Sequence, residues 1–298
     1  MEPMINTLGE FGYLFVSYLT QLSSRLCVVY MIPMLVVTYL VALRRGLGWS
    51  EQLRAFRSTW RSRWLGHSAL QDYGLIILNG CLKILFFSHL VVLGLDLAVW
   101  TAASLTAHMG ILDLGVPFIM MMASYTVILT VVDDLSVYLV HRWMHRSPLL
   151  WSFHCVHHSA TQMTPLTWLR IHPVEGIINT LRSAMVYGTI TGAFMFLSGG
   201  LISEVTLLGV NIFSLIFFIM GAQLRHSHVP LSYGRRCEQV LISPLQHQIH
   251  HSVAVEHQDR NFGAKLAIWD RMFGTLITAH QVELPLRFGV PDSRIDLD

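Results

Sequence analysis

Charge is what this sequence has least of. Of its 298 residues only 13% are charged, against about 25% in an ordinary soluble domain, while 53% are hydrophobic. Lysine is nearly missing, with Lys83 and Lys265 the only two. So few charges argue against a soluble enzyme, and equally against a disordered or collagen-like chain. The 20 basic and 18 acidic residues almost cancel, at a net +2, which leaves no basic face for nucleic acid. Cys27, Cys81, Cys155 and Cys237 lie far apart with no CxxC pair, so they form neither a disulfide framework nor an iron–sulfur set. The HExxH motif of zinc hydrolases is absent, as are internal repeats and low-complexity linkers.

What is present is long apolar runs and 16 histidines. Runs approaching the roughly 20 residues that span hydrocarbon occur at Leu26 to Leu43, Tyr73 to Trp100 and Gly115 to Val140. Ile177 to Leu197 and Leu201 to Ala222 are less clean, separated only by Ser198, Gly199 and Gly200, and together suggest a hairpin dipping into the bilayer. The expected fold is all-α, an integral membrane bundle of about four to five apolar helices with a cytoplasmic histidine-rich cap holding a dinuclear metal site. Basic residues orient it. Arg44, Arg45, Arg54, Arg57, Arg61 and Arg63 follow the first run, whereas 101–114 has no Lys or Arg. Arg142, Arg146 and Arg170 follow the third run, and Arg225, Arg235 and Arg236 follow the fifth. By the positive-inside rule these basic segments are cytoplasmic and the N-terminus is not. Met1 to Arg25 lacks the features of a cleaved signal peptide. Lys83 falls inside the second run, where a charge is expected to face a cavity or the bundle interior.

The orientation places three histidine clusters on one side. His141 and His145 close the third run, His154, His157 and His158 follow in HCVHH, and His247, His250 and His251 stand in HQIHH. On a helix, residues four apart differ by about 40° and the members of HxxHH fall within about 100°, so each cluster can point its rings at one place. Neutral imidazole is the commonest metal ligand. Eight are too many for one zinc, which takes four, and fit two ions. Haem held by two histidines is disfavoured because it needs single histidines deep in facing helices. A metal transporter would place polar groups along a path near the midplane, whereas these gather at helix ends.

At these residues the chain resembles the fatty acid hydroxylase / sterol desaturase superfamily of membrane di-iron oxygenases. The resemblance runs through DLSVYLVHRWMH, WSFHCVHHS, the HP-x-E element of His172, Pro173 and Glu175, RHSHV, SPLQHQIHHS and NFGAKLAIWDRMFGT, covering about Val131 to Thr275. It implies residues 1–110 as N-terminal membrane helices with an Arg-rich loop, and 111–298 as the catalytic region. It also implies two iron ions, O2 as co-substrate, and hydroxylation or desaturation of an unactivated C–H bond of a lipid such as an acyl chain or sterol, with hydroxylation preferred. Zinc is expected to enter the same sites in overproduced protein. Electrons are expected from a separate ferredoxin or cytochrome with its reductase. Where many relatives read His-Ser-Asn, this chain has His226, Ser227, His228, so the ninth ligand is His226 or His228, with His226 favoured. Asp134, seven residues before His141, is placed to orient an imidazole. Glu175 is expected either at the site or simply at a helix N-terminus, and Asp270 and Arg271 as ion-pairing residues beneath it. His67, His89, His108, His257 and His280 are expected to be bystanders, with His257 near enough to the third cluster to stay open.

A topology reporter fused after Asp298 or inserted near Arg54 is expected to read cytoplasm, and one near Ala107 the opposite side. A cytoplasmic signal at Ala107 would overturn the orientation.

Overall fold

In the computed structural model, the described residues are 27–290 apart from 47, 84–87, 113 and 208–209, together with 16, 17, 20, 21 and 24; for 88–91 only the backbone is described. The expectations for Met1 to Arg25 and for the His89 side chain therefore lie largely or wholly outside them.

Regular structure is almost entirely helical. In chain order the helices are α1 (Val28–Arg44), α2 (Trp49–Leu65), α3 (His67–Leu82), α4 (Ser88–Met109), α5 (Phe118–Arg146), α6 (Pro148–His158), α7 (Pro173–Ser198), α8 (Ile212–Ile219), α9 (Pro244–His250) and α10 (Ile268–Met272). One antiparallel pair, β1 (Thr206–Leu207) and β2 (Val210–Asn211), precedes α8, with Thr206 opposite Asn211.

Two described helices are long and apolar enough to cross a membrane, α4 over Val92–Met109 and α5 over its whole length, and a third span is possible if α1 and α2, bent by 113°, count as one. Four to five were expected; residues 84–87 and 208–209, inside two of the expected runs, lie outside the described residues. In the run from Tyr73 to Trp100 the described residues form α3 and α4 on either side of 84–87, and Lys83 is the C-cap residue of α3. The run from Leu201 to Ala222 contains Glu204 and Asn211, which need polar partners and find each other. Asn211 Oδ1 also accepts from the Phe213 and Ser214 amides, so it starts a new short helix at that point. α8 then packs Leu215, Phe217 and Phe218 with Cys27 and Tyr30 beside α1.

The arginine-rich segment after α1 is itself a helix. α2 buries none of its residues, and Trp49, Leu53, Phe56 and Trp60 form an exposed apolar stripe at helical spacing.

The 26-residue α7 is the central strut. It packs along α4 and, less extensively, along α5. Ala184, Gly188 and Gly192 recur every four residues, the small-residue spacing that lets helix backbones touch. A Cβ at Gly192 would stand 2.4 Å from the Ala98 carbonyl oxygen, and one at Gly188 would stand 2.7 Å from that of Gly94. On the other side of α7, Phe194 joins Met121, Tyr125 and Leu129 of α5, and Arg182 donates to Asp133 Oδ1 at 2.7 Å and Ser136 Oγ at 2.6 Å.

Because the α4–α7 contact tolerates no side chain at Gly192, Gly192→Leu is expected to destabilise the protein by about 1–3 kcal/mol through overpacking. Gly200→Leu, where a Cβ meets nothing within 4 Å, is expected to stay within roughly 0.5 kcal/mol of the parent. Unfolding of both variants in detergent checks this.

Candidate metal centre

The site is assembled where α5 ends. At 29 residues and about 1.5 Å per residue, α5 is roughly 43 Å long and overshoots a hydrocarbon core of about 30 Å. His141 and His145 ride on its final turns. Ser147 is extended, as the residue before a proline prefers, and Pro148 opens α6, whose first turn is capped by Ser147 Oγ accepting from the Leu150 amide. The same cap-then-proline device starts α7 (His172, Pro173) and α9 (Ser243, Pro244). His172 Nδ1 accepts from the Val174 amide, so this imidazole is used as a helix cap.

Nine imidazoles converge into two groups. His141, His145, His154, His158 and His250 form one; His157, His226, His247 and His251 form the other; within each group one nitrogen per ring lies within 4.8 Å of all the others. All are buried except His141, which is partly so. Each HxxHH cluster was expected to aim at one place; each is in fact divided. Residues four apart share a group (141 with 145, 154 with 158, 247 with 251), whereas His157 and His250 point to the other. On so short a helix the difference between a 40° and a 100° separation is enough to reach two centres instead of one.

Three outer ring nitrogens are held by backbone carbonyls and two face carboxylates. His141 Nδ1 lies 2.9 Å from the Phe262 carbonyl, His157 Nδ1 3.1 Å from that of Arg170, and His250 Nδ1 2.7 Å from that of Arg260. His154 Nδ1 is 3.1 Å from Glu175 Oε1, and His145 Nδ1 is 3.6 Å from Asp259 Oδ1. A carbonyl can only accept, so the proton sits on Nδ1 and Nε2 presents its lone pair inward. The inward Nε2 atoms of His141, His154, His158 and His250 are buried with no hydrogen-bond partner. In the second group, Nε2 of His226 stands 3.2 Å from that of His157 and 3.0 Å from that of His247, which is 3.2 Å from that of His251. Such separations suit ligands bonded at about 2.1 Å to a common ion, and converging lone pairs call for a cation. Burial lowers the His154 pKa to about 3 and, with neighbouring imidazoles, that of His157 to about 4 and those of His158, His247, His250 and His251 well below the usual value. All are therefore neutral at pH 7, the form that binds metal. Burial raises Glu175 to about 7, with nearby imidazoles opposing it.

The carboxylates divide differently from expectation. Glu175 does face an imidazole. Asp134 instead accepts from the Lys265 and Leu266 amides at 2.8 and 3.0 Å and from Trp269 Nε1 at 3.0 Å, fixing the 265–269 segment. Asp270 takes the Phe262 and Gly263 amides, both at 2.8 Å, and Thr275 Oγ1 at 2.6 Å, and so holds the carbonyl that anchors His141; Arg271, expected to join it in ion pairing, is exposed. Gly263 is required there, since a Cβ would stand 2.5 Å from the Leu266 carbonyl oxygen and 2.8 Å from Asp270 Oδ2. His228 belongs to neither group and lies against the Phe288 ring at 5.6 Å. His67 and His108 are exposed, and His257, though buried, and His280 are in neither group.

Two supports escaped the sequence reading. Arg170, counted above as a positive-inside residue, is 1% exposed. Its guanidinium donates to Asp72 Oδ1 and the Ser68 carbonyl of α3, and to the Val156 carbonyl and Ser159 Oγ at the end of α6. Its own carbonyl anchors His157. Glu238, fully buried, accepts from Ser232, Tyr233, Ser243 and Ala279 around the start of α9. Arg170 has no spacing signal, because Ser68 and Asp72 are about a hundred residues away in sequence, and the nearer partners of Glu238 follow no regular helical or strand period.

The fatty acid hydroxylase profile matches residues 126–275, half of the chain, and that segment holds every member of both histidine groups. The chain belongs to the fatty acid hydroxylase family. Among similar proteins are the ornithine lipid hydroxylase OlsE of Rhizobium tropici, 27% identical over 52% of this chain and 42% of that protein, and the alkylglycerol monooxygenase of Danio rerio, 30% identical over 48% of this chain and 28% of that protein. The beta-carotene hydroxylase of Paracoccus sp. (strain PC1) is 28% identical over 44% of this chain and 75% of that protein. The matched segment thus spans less than half the length of the first two. No solved structure matches the chain. These relatives are hydroxylases and monooxygenases by name, which makes oxidoreductase chemistry the family's common ground.

Arg170→Ala is expected to cost about 3–5 kcal/mol, because it strands the buried Asp72 carboxylate. Arg170→Lys is not expected to restore stability, since an ammonium cannot bridge α3 and α6 as the planar fork does. Thermal unfolding of both variants in detergent measures this.

Proposed function

We propose that this chain is an O2-dependent membrane lipid hydroxylase whose two histidine groups each hold one iron ion. The supporting observation is the convergence of nine imidazoles, eight buried and one partly so, into a group of five and a group of four within the segment matched by the fatty acid hydroxylase family. In this reading His141, His145, His154, His158 and His250 hold one ion, and His157, His226, His247 and His251 the other. His226 is the ninth ligand and His228 is not one. When bound, the iron pair supplies the activation of O2 and the removal of hydrogen from an unactivated C–H bond.

The chain's own residues do the rest. Carbonyls of Phe262, Arg170 and Arg260 hold three rings in the tautomer and orientation that a ligand needs. Glu175 positions His154, and Asp134 and Asp270 hold the loop that carries the Phe262 carbonyl. Burial of the rings keeps water from the reacting centre. Desaturation would begin with the same hydrogen removal; the names of the relatives favour hydroxylation.

The substrate is read as a lipid that enters from the bilayer beside α4, α5 and α7. α2, with its apolar stripe and its arginines, is read as lying in the membrane interface. Residues 1–110 anchor and 111–298 carry the catalytic groups, with Arg170 and the α4–α7 contact joining them. The protein is read as multi-pass, with the histidine groups and C-terminus cytoplasmic. A separate ferredoxin or cytochrome with its reductase supplies electrons from that side.

Elemental analysis of detergent-purified protein is expected to find close to two metal ions per chain, iron in the working enzyme and zinc in part after overproduction. His250→Ala is expected to lose metal and product, and His280→Ala to keep both within a few-fold of the parent. The host's lipids should gain a species heavier by one oxygen atom when the protein is present. One ion or none in intact protein, or equal tolerance of the two substitutions, would contradict the reading.

A further inference from the structure

A cavity of about 350 Å³ outside the histidine groups combines positive charge with an oily wall. Arg45, just past the end of α1, Arg63, in the last turn of α2, and His228 line it, together with Leu284, Leu286 and Phe288. No lining residue is acidic. Both Arg63 Nε and His228 Nε2 are buried without a hydrogen-bond partner, a costly condition for polar atoms unless something else meets them. Gln248, also at the cavity, has its amide committed to the Leu224 and Val229 carbonyls at 2.8 and 2.9 Å, so it does not meet this demand.

We propose that this cavity binds the anionic head group of a lipid substrate, a phosphate or carboxylate. The two guanidinium groups and the His228 ring act as donors, and Leu284, Leu286 and Phe288 cover the first carbons of the chain. Guanidinium forks suit a group with several oxygens. A free inorganic anion would satisfy the same donors but gain nothing from the apolar wall. Two of the lining residues adjoin the four-histidine group along the chain: His228 is two residues from His226, and Gln248 is next to His247 in α9. A lipid held here by its head would have its nearest bonds beside that group. His228, which neither histidine group uses, thereby has a place.

The inference rests on the lipid-substrate reading above, and its test reads binding rather than turnover. Metal-loaded, detergent-purified protein is titrated with soluble dihexanoyl phosphatidic acid, with dihexanoylglycerol, and with inorganic phosphate. The phosphatidic acid is expected to bind about tenfold tighter than the neutral lipid, the worth of a charge-assisted contact. Arg45→Gln and Arg63→Gln should each remove most of that preference, while Arg57→Gln, on the exposed face of α2 outside the cavity, should leave it intact. Bound metal, measured in every variant, reports that the fold survives; if Arg63→Gln loses metal, the exposed Arg45 carries the test. Equal affinity for the two lipids would overturn the proposal. So would an equal loss in Arg57→Gln, which would mean general surface attraction, or inorganic phosphate binding as tightly as the lipid, which would mean a simple ion site. A head-group preference without any hydroxylated product would leave the cavity assignment standing and remove the proposed reaction, and product without a preference would do the reverse.

Discussion

Nine imidazoles aim their lone pairs at two points inside protein, and the rest of the cap exists to hold them there. Lone pairs at 3.0 to 3.2 Å repel when no cation lies between them, and a ring free to rotate would turn away. For His141, His157 and His250 rotation is prevented from behind, by carbonyls on the outer nitrogens, and Glu175 faces His154 from that side. Three of those carbonyls belong to non-helical segments around Arg170, Arg260 and Phe262, so the loops must be as firm as the helices. Asp134 and Asp270 tie one loop down through backbone amides, and Arg170 ties the other through contacts to five residues. Each is a buried charge fully occupied by partners, the condition under which burial is tolerable.

The membrane helices serve the same requirement from below. α5 is longer than a bilayer needs, and its surplus turns lift His141 and His145 to the level of the cap. α7 returns from the cap beside α5 and lies close against α4, where small residues allow the backbones to touch. Arg182, Asp133 and Ser136 close a polar contact between α5 and α7, which fixes the rotation of α7 and with it the direction of Glu175 about two turns earlier. Hydrophobic packing alone, being non-directional, would leave that rotation loosely set.

Local features were legible because their cause is local. Glu175, just after Pro173, stands in the first turn of α7, the helix start its position suggested. The spacing of His141 and His145, His154 and His158, and His247 and His251 puts each pair on one helix face. The family likeness likewise rests on these short motifs. The run from Leu201 to Ala222 misled, because hydropathy counts apolar residues without seeing that Asn211 caps a new short helix inside it. The arginine-rich stretch after α1 misled in the opposite direction, since a segment polar on one face can still be a helix.

The sequence by itself determined an apolar helical chain, histidines massed at helix ends and the residues that compose the boxes. Tertiary structure alone decided which histidine shares a centre with which, that His226 and not His228 stands among them, that Asp134 serves a loop while Glu175 serves a ring, and that Arg170 is interior. The reason is distance along the chain. Periodicity reports neighbours one turn away, whereas Asp134 meets Leu266, Arg170 meets Asp72 and His157 meets His226 only after separate helices have packed, and no local pattern encodes that meeting.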